Sequence, residues 1–134
     1  MGKYKLGKTS LSRLEGINNK LATIVHMAIE ETEQDFTVVE GLRSVERQFE
    51  LFEKGYTELD GYNKKSAHQL GTAVDIAPYK NGEILWDIKK YPAEWLEIGR
   101  VMLRSARRLN CNLEWGITYN LPKGIDAPHF QLKD

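Results

Sequence analysis

One imidazole and one carboxylate stand seven residues apart in Ser66-Ala67-His68-Gln69-Leu70-Gly71-Thr72-Ala73-Val74-Asp75. Asp75 lies in Ala73–Ala77, a short apolar run that reads as a strand. A lone carboxylate in such a run is costly unless something pairs with it or binds it. A second imidazole, His129, follows in Ile125-Asp126-Ala127-Pro128-His129-Phe130-Gln131. His68, Asp75 and His129 together would form a nitrogen, oxygen, nitrogen set for a divalent cation. Three protein ligands with an open position is the pattern of a catalytic zinc, which lowers the pKa of a bound water to about 7. Asp126, three residues before His129, could take a proton from that water and return it to a leaving amine. Arg43 could stabilise charge developing on a carbonyl oxygen. Such a set predicts metal-assisted amide hydrolysis. It also fits a non-haem iron facial triad, and the bland alternative is a group of satisfied polar residues in a sheet. Residue types alone leave these open.

The elements that must carry these residues follow from periodicity. Residues 1–8 read as a basic lead-in. Ser12-Arg13-Leu14-Glu15 has the form of a capping box, and Leu14, Ile17, Leu21, Ile24, Val25, Ala28 and Ile29 recur at helical spacing, so one helix is expected from about 11 to 32. His26 is expected at its core edge. Phe36-Thr37-Val38-Val39 reads as a strand. It leads through Gly41 and Arg43 to Ser44, which can cap a second helix with Val45, Phe49 and Phe52 as its apolar face and Gly55 as its stop. A polar loop over 56–67 delivers His68. After the Ala73–Ala77 strand, Asn81-Gly82 between apolar runs signals a hairpin, and Pro78 suggests an edge position or a bend. Pro92 opens a third helix to about Asn110, with Trp95, Ile98, Gly99, Met102, Ala106 and Leu109 as its buried stripe. Arg100, Arg104, Arg107 and Arg108 line its outer face, which reads as solvated, with docking to an anionic polymer as the sharper alternative. Cys111–Gly116 suggests a short strand, Tyr119–Gly124 a loop, and 128–132 a strand with His129 and Gln131 on one face and Phe130 on the other. The order implies an α+β domain, a small, largely antiparallel sheet with about three helices packed on it.

Composition sets the outer limits. The chain has 134 residues, 41% of them hydrophobic, which suits one domain and one core. Nineteen basic and 19 acidic side chains cancel, so charge gives no argument for nucleic acid or an anionic membrane as partner. The single Cys111 excludes an internal disulfide and reads as a small semi-buried residue. No apolar run is long enough to span a membrane, and Met1–Leu6 lacks the apolar region of a secretory signal. The expectation is a monomer made in the cytoplasm, without membrane insertion.

The motifs then point to a family. Ser66-x-His68-x-x-Gly71-x-Ala73-x-Asp75, followed by Asp126-x-Pro128-His129-Phe130, resembles the zinc peptidases that cut peptidoglycan stem peptides. These comprise D-alanyl-D-alanine carboxypeptidases and dipeptidases and the L-alanyl-D-glutamate endopeptidases of phage endolysins. Gly41-Leu42-Arg43-Ser44 and Gln48 match the family's Gly-x-Arg-Ser segment. The resemblance runs from about Leu11 to Leu132 and implies a hedgehog-like, D-alanyl-D-alanine-peptidase-like fold, a single zinc peptidase domain over 1–134. It implies one Zn2+ held by His68, Asp75 and His129, Asp126 as acid/base, Arg43 on the substrate carbonyl, and Ser66 and Gln131 as neighbours supporting the ligands or touching substrate. It implies a peptidoglycan stem peptide as partner. The expected function is an endolysin cleaving L-alanyl-D-glutamate for host lysis, acting on the wall after release. A D-alanyl-D-alanine carboxypeptidase or dipeptidase, or a non-catalytic wall-binding module, are the alternatives. The chain departs from the family at Trp115-Gly116-Ile117-Thr118-Tyr119, where Trp-Gly-Gly-x-Trp is common, and at Tyr56, where a basic residue is common.

Overall fold

Two helices replace the single long one expected at the start of the chain. In the computed structural model, which describes residues 2–118 and 126–133, α1 spans Lys8–Arg13 and α2 spans Asn19–Glu31. Gly16 between them has φ +81°, a left-handed conformation that ends a helix cheaply only at glycine. Asn18, not Ser12, caps α2 by accepting from the backbone N–H groups of Lys20 and Leu21. The apolar period runs on across the break because Leu14 and Ile17 enter the same core from a turn. His26 lies on the exposed side of α2 rather than at the core edge. The lead-in also contributes, since Tyr4 and Leu6 pack against the core.

Strand β1, Phe36–Glu40, is followed by α3, Val45–Glu53, with Ser44 capping it through Arg47 N–H as expected. Its apolar side is only half covered, and Phe52 is exposed. The fully buried residue of α3 is Gln48. Strand β2, Ala73–Lys80, is longer than expected and turns through Asn81 and Gly82, both with positive φ, into β3, Glu83–Ile84. Pro78 is in the strand interior. It sits where β2 changes partner: Ile76 N–H donates to Pro128 O, Tyr79 pairs with Ile84, and the carbonyl of Pro78 accepts from Leu85 N–H. Backbone alternation points the position of its missing N–H into that changeover, so no ladder bond is lost there.

Helix α4, Pro92–Arg108, begins on its proline as expected, and β4, Leu113–Trp115, a 3-10 turn over Gly116–Thr118 and β5, His129–Leu132, complete the described elements. The expected Tyr119–Gly124 loop lies outside the described residues. The strand order is β1-β2-β5-β4, with β3 paired to β2, and every pairing is antiparallel. The expected α+β class is therefore borne out.

One sheet face carries the core. Val38, Val74, Ile76, Phe130 and Trp115 pack with Leu21, Ile24 and Val25 of α2 and Trp95, Ile98, Val101 and Met102 of α4. Phe130 is fully buried and stacks on Trp115 with ring centroids 5.6 Å apart. Period-two alternation sends Asp75, His129, Gln131 and Glu114 to the opposite face. Helix α1 lies along β1, where Ser10 Oγ accepts from Val38 N–H and Arg13 Nη1 donates to Val38 O. Of the outer arginines of α4, Arg100 pairs with Glu97, Arg104 and Arg108 pair with Glu31, and Arg107 is exposed.

Gly41 ties α1 to the other face. A Cβ there would lie 1.8 Å from the carbonyl oxygen of Arg13, so only glycine permits this approach. Gly41→Ala is expected to destabilise the protein by about 1–3 kcal/mol, the usual cost of forcing volume into a packed site. Urea unfolding of the variant measures it.

Candidate metal centre

Three elements bring the imidazoles and the carboxylate together. Asp75 in β2 and His129 in β5 are direct cross-strand partners. His68 comes from a turn over 66–71 in which Ser66 Oγ accepts from Gln69 N–H. Arg43 N–H donates to the carbonyl of His68, holding that turn to the start of α3. Asp75 Oδ1 lies 3.2 Å from His68 Nε2 and 3.2 Å from His129 Nδ1. One donor atom from each residue falls within 4.8 Å of the other two, the one such group among the described residues.

The opposite nitrogen of each ring is engaged. His68 Nδ1 is 3.0 Å from the carbonyl oxygen of Gly41, and His129 Nε2 is 2.8 Å from Gln131 Oε1. Each acceptor calls for a proton on the nitrogen that faces it, which leaves a lone pair on the nitrogen facing Asp75. A cation about 2 Å from three tetrahedrally disposed donors needs them roughly 3.3 Å apart. The two nitrogen–oxygen separations meet that requirement. The donor set therefore fits a zinc-like ion.

The electrostatics follow from burial and proximity. Burial opposes charge on Asp75, but hydrogen bonds from His129 and His68, together with their charges, hold its carboxyl far below the ordinary value. Burial also opposes charge on His129, and is outweighed by the hydrogen bonds to Asp75 and Gln131 and by the charges of Asp75 and Asp126, so its pKa is raised. Asp126 is raised by burial first and by the charge of Asp75 second, against the pull of His129, His68 and Arg43. Asp126 stands three residues before His129, at the turn that leads into β5. Backbone bonds from Asp126 N–H to Gly116 O and from His129 N–H to Asp126 O hold it there, and Trp115 Nε1 donates to Ala127 O.

Arg43 is held from two sides. Its Nε donates to Glu40 Oε1 at 2.6 Å and its Nη1 to Gln48 Oε1 at 2.8 Å. Gln48 is anchored in turn to the carbonyl of Leu59 at 2.7 Å. Nη2 takes no part in these bonds. Ser66 is buried, and its hydroxyl, accepting from Gln69 N–H, serves the His68 turn rather than the His–Asp–His group. Sequence reasoning assigned no role to Glu40, to the Gly41 carbonyl or to Glu114, whose Oε1 accepts from Gln131 Nε2 at 3.2 Å. The alternation in Leu113-Glu114-Trp115, with an apolar residue on each side, was the available signal for Glu114.

A sheet with helices on one face and, on the other, a largely buried His–Asp–His group able to hold a metal ion is the frame of the site. Comparisons give the class. The model of the phage L-alanyl-D-glutamate peptidase family matches residues 1–132. The L-alanyl-D-glutamate peptidase of Escherichia phage T5 is 31% identical over 117 residues, which cover 87% of this chain and 82% of that protein. The peptidoglycan L-alanyl-D-glutamate endopeptidase CwlK of Bacillus subtilis is 30% identical, over 73% of this chain and 60% of its own. The crystal structure of the Serratia marcescens L-Ala D-Glu endopeptidase ChiX superposes with a TM-score of 0.82 at 29% identity, covering 98% of this chain and 92% of that one. A vancomycin-resistance D,D-dipeptidase shares the fold, with a TM-score of 0.54 at 15% identity over 87% of this chain and 50% of its own. The chain belongs to the phage L-alanyl-D-glutamate peptidase family. The enzyme class expected from the motifs, a peptidase of the cell-wall type, is thereby borne out.

The metal-free protein should show a definite pH dependence. Asp75 has a folded pKa below its ordinary 3.8, so its stabilisation is present above that value and is lost as pH falls through the folded value. His129 has a folded pKa above 6.5, so its stabilisation is present below 6.5 and is lost as pH rises through the raised value. Thermal melts of metal-free protein should therefore decline as pH rises above 6.5, and Asp75→Asn should remove that decline. Zinc affinity should fall as pH drops below the raised pKa of His129, because protons compete for the same nitrogen.

Proposed function

We propose that the chain is a zinc peptidase that hydrolyses the bond between L-alanine and D-glutamate in the peptidoglycan stem peptide, as a phage endolysin acting on the host wall, and that residues 1–134 form one catalytic domain. The observation that supports this most directly is the convergence of His68, Asp75 and His129 beside Asp126, in a chain of this family. His68 Nε2, Asp75 Oδ1 and His129 Nδ1 would hold the ion. When bound, it polarises a carbonyl oxygen and makes a water acidic enough to attack at neutral pH.

The chain's own groups then have defined tasks. Asp126 takes a proton from the attacking water as the new carbon–oxygen bond forms. It delivers that proton to the amide nitrogen as the carbon–nitrogen bond breaks, so the amine leaves neutral. Its raised pKa suits a group that must hold the proton between the two events. Arg43, fixed by Glu40 and Gln48, donates to the carbonyl oxygen as that oxygen gains charge. Because both bonds to the guanidinium are already made, little side-chain freedom is lost on reaching the transition state.

The test is digestion of purified peptidoglycan by zinc-loaded protein, with mass spectrometry of the products. New L-alanine carboxyl ends and D-glutamate amino ends are expected. Free D-alanine or D-alanyl-D-alanine in their place would refute the assigned bond. Asp126→Ala is expected to lower kcat by about 10²- to 10⁴-fold with zinc still bound at one per chain. Arg43→Ala is expected to lower kcat by about 10²- to 10³-fold. Elemental analysis of the same preparations checks the metal content.

A further inference from the structure

Glu114 lies on the site's face of the sheet, directly opposite Gln131, yet has no task in the chemistry above. We propose that Glu114 is a positioning residue that locks the Gln131 side-chain amide, so that His129 keeps its proton on Nε2 and turns the lone pair of Nδ1 toward the cation. The inference rests on His129 being a ligand.

A neutral imidazole carries one N–H. Among the described residues two acceptors face it: Asp75 Oδ1, 3.2 Å from Nδ1, and Gln131 Oε1, 2.8 Å from Nε2. A proton on Nδ1 would satisfy Asp75 and remove the lone pair that a cation needs. Which tautomer prevails depends on which end of the amide meets Nε2. The oxygen end requires Nε2–H. The NH2 end requires a bare Nε2 and so drives the proton to Nδ1.

A carboxylate resolves this because it only accepts. Glu114 Oε1 lies 3.2 Å from Gln131 Nε2, so the NH2 end must face β4 and the oxygen end must face His129. Lys133 Nζ lies 3.3 Å from Glu114 Oε2, so the other carboxylate oxygen is engaged by a donor as well. The register fixes the relay: Glu114 opposes Gln131, and His129 opposes Asp75. The other imidazole needs no such lock. His68 Nδ1 faces the backbone carbonyl of Gly41, which has no donor end to present.

The test uses full-length protein labelled with 15N-histidine, metal-free, at a pH where His129 is neutral. Long-range 1H–15N correlation reads which ring nitrogen bears the proton. Wild type is expected as the Nε2–H tautomer. Glu114→Gln, close in shape but able to donate as well as accept, and Glu114→Ala are both expected to shift population to Nδ1–H. Zinc affinity, measured by competition with a chromophoric chelator, should fall about 10- to 100-fold in both. Adding Gln131→Glu to Glu114→Ala supplies an acceptor with no donor end, and should restore Nε2–H. An unchanged tautomer in both single variants overturns the lock, even if affinity falls, since a lost charge alone would then account for it. Wild-type protein that binds no zinc overturns instead the reading of His129 as a ligand.

Discussion

A single carboxylate oxygen shared by two imidazoles is the constraint on which the rest of the structure turns. Asp75 Oδ1 has His68 on one side and His129 on the other, at equal distance. In a central strand flanked by Val74 and Ile76 this carboxylate would be a severe liability without partners. Its presence fixes the register of β2 against β5, because a one-residue slip would bury Asp75 among the helices and expose Val74. It also fixes the place of the 66–71 turn, which must deliver His68 over the same strand.

The division of labour between the sheet faces follows. Helices α2 and α4 fill one face with aliphatic and aromatic side chains, leaving the other free for polar groups that ordinary packing would not tolerate. Asp75, His129, Gln131 and Glu114 stand on strands, whose side-chain directions are set by hydrogen-bonded ladders. Such placement holds side chains more closely than loops do. His68 and Arg43 come from less regular segments, and each has extra restraint. His68 is held through the Gly41 carbonyl, and Arg43 through Glu40 and the fully buried Gln48.

Much of this was legible in the residues. The alternation of Pro128–Leu132 placed His129 and Gln131 together, Ser44 and Pro92 marked helix starts, and Asn81-Gly82 marked the hairpin. What escaped was tertiary. The apolar period from Leu14 to Leu21 continues through the break at Gly16, because the turn aims its side chains where a helix would have done. Pro78 could be interior because β2 changes partners at that point, which strand composition does not reveal. Gln48 stood out only through the resemblance of the Arg43 segment, and its burial and its bonds to Arg43 and Leu59 had no local signal. Glu114 carried no signature beyond its alternation with Leu113 and Trp115, since its partner Gln131 lies 17 residues further on.

The docking of α1 against β1 bears on how a peptide can approach. The Val38 peptide group on the sheet's outer margin is already occupied, its N–H by Ser10 and its carbonyl by Arg13. An extended chain cannot be recruited there as an extra strand, the route by which many sheet proteins capture peptides. The polar face with Asp75, His129, Gln131 and Glu114 instead offers contacts dictated by side chains rather than by main-chain laddering. Any selectivity on that face falls to the shape and charge that these side chains present.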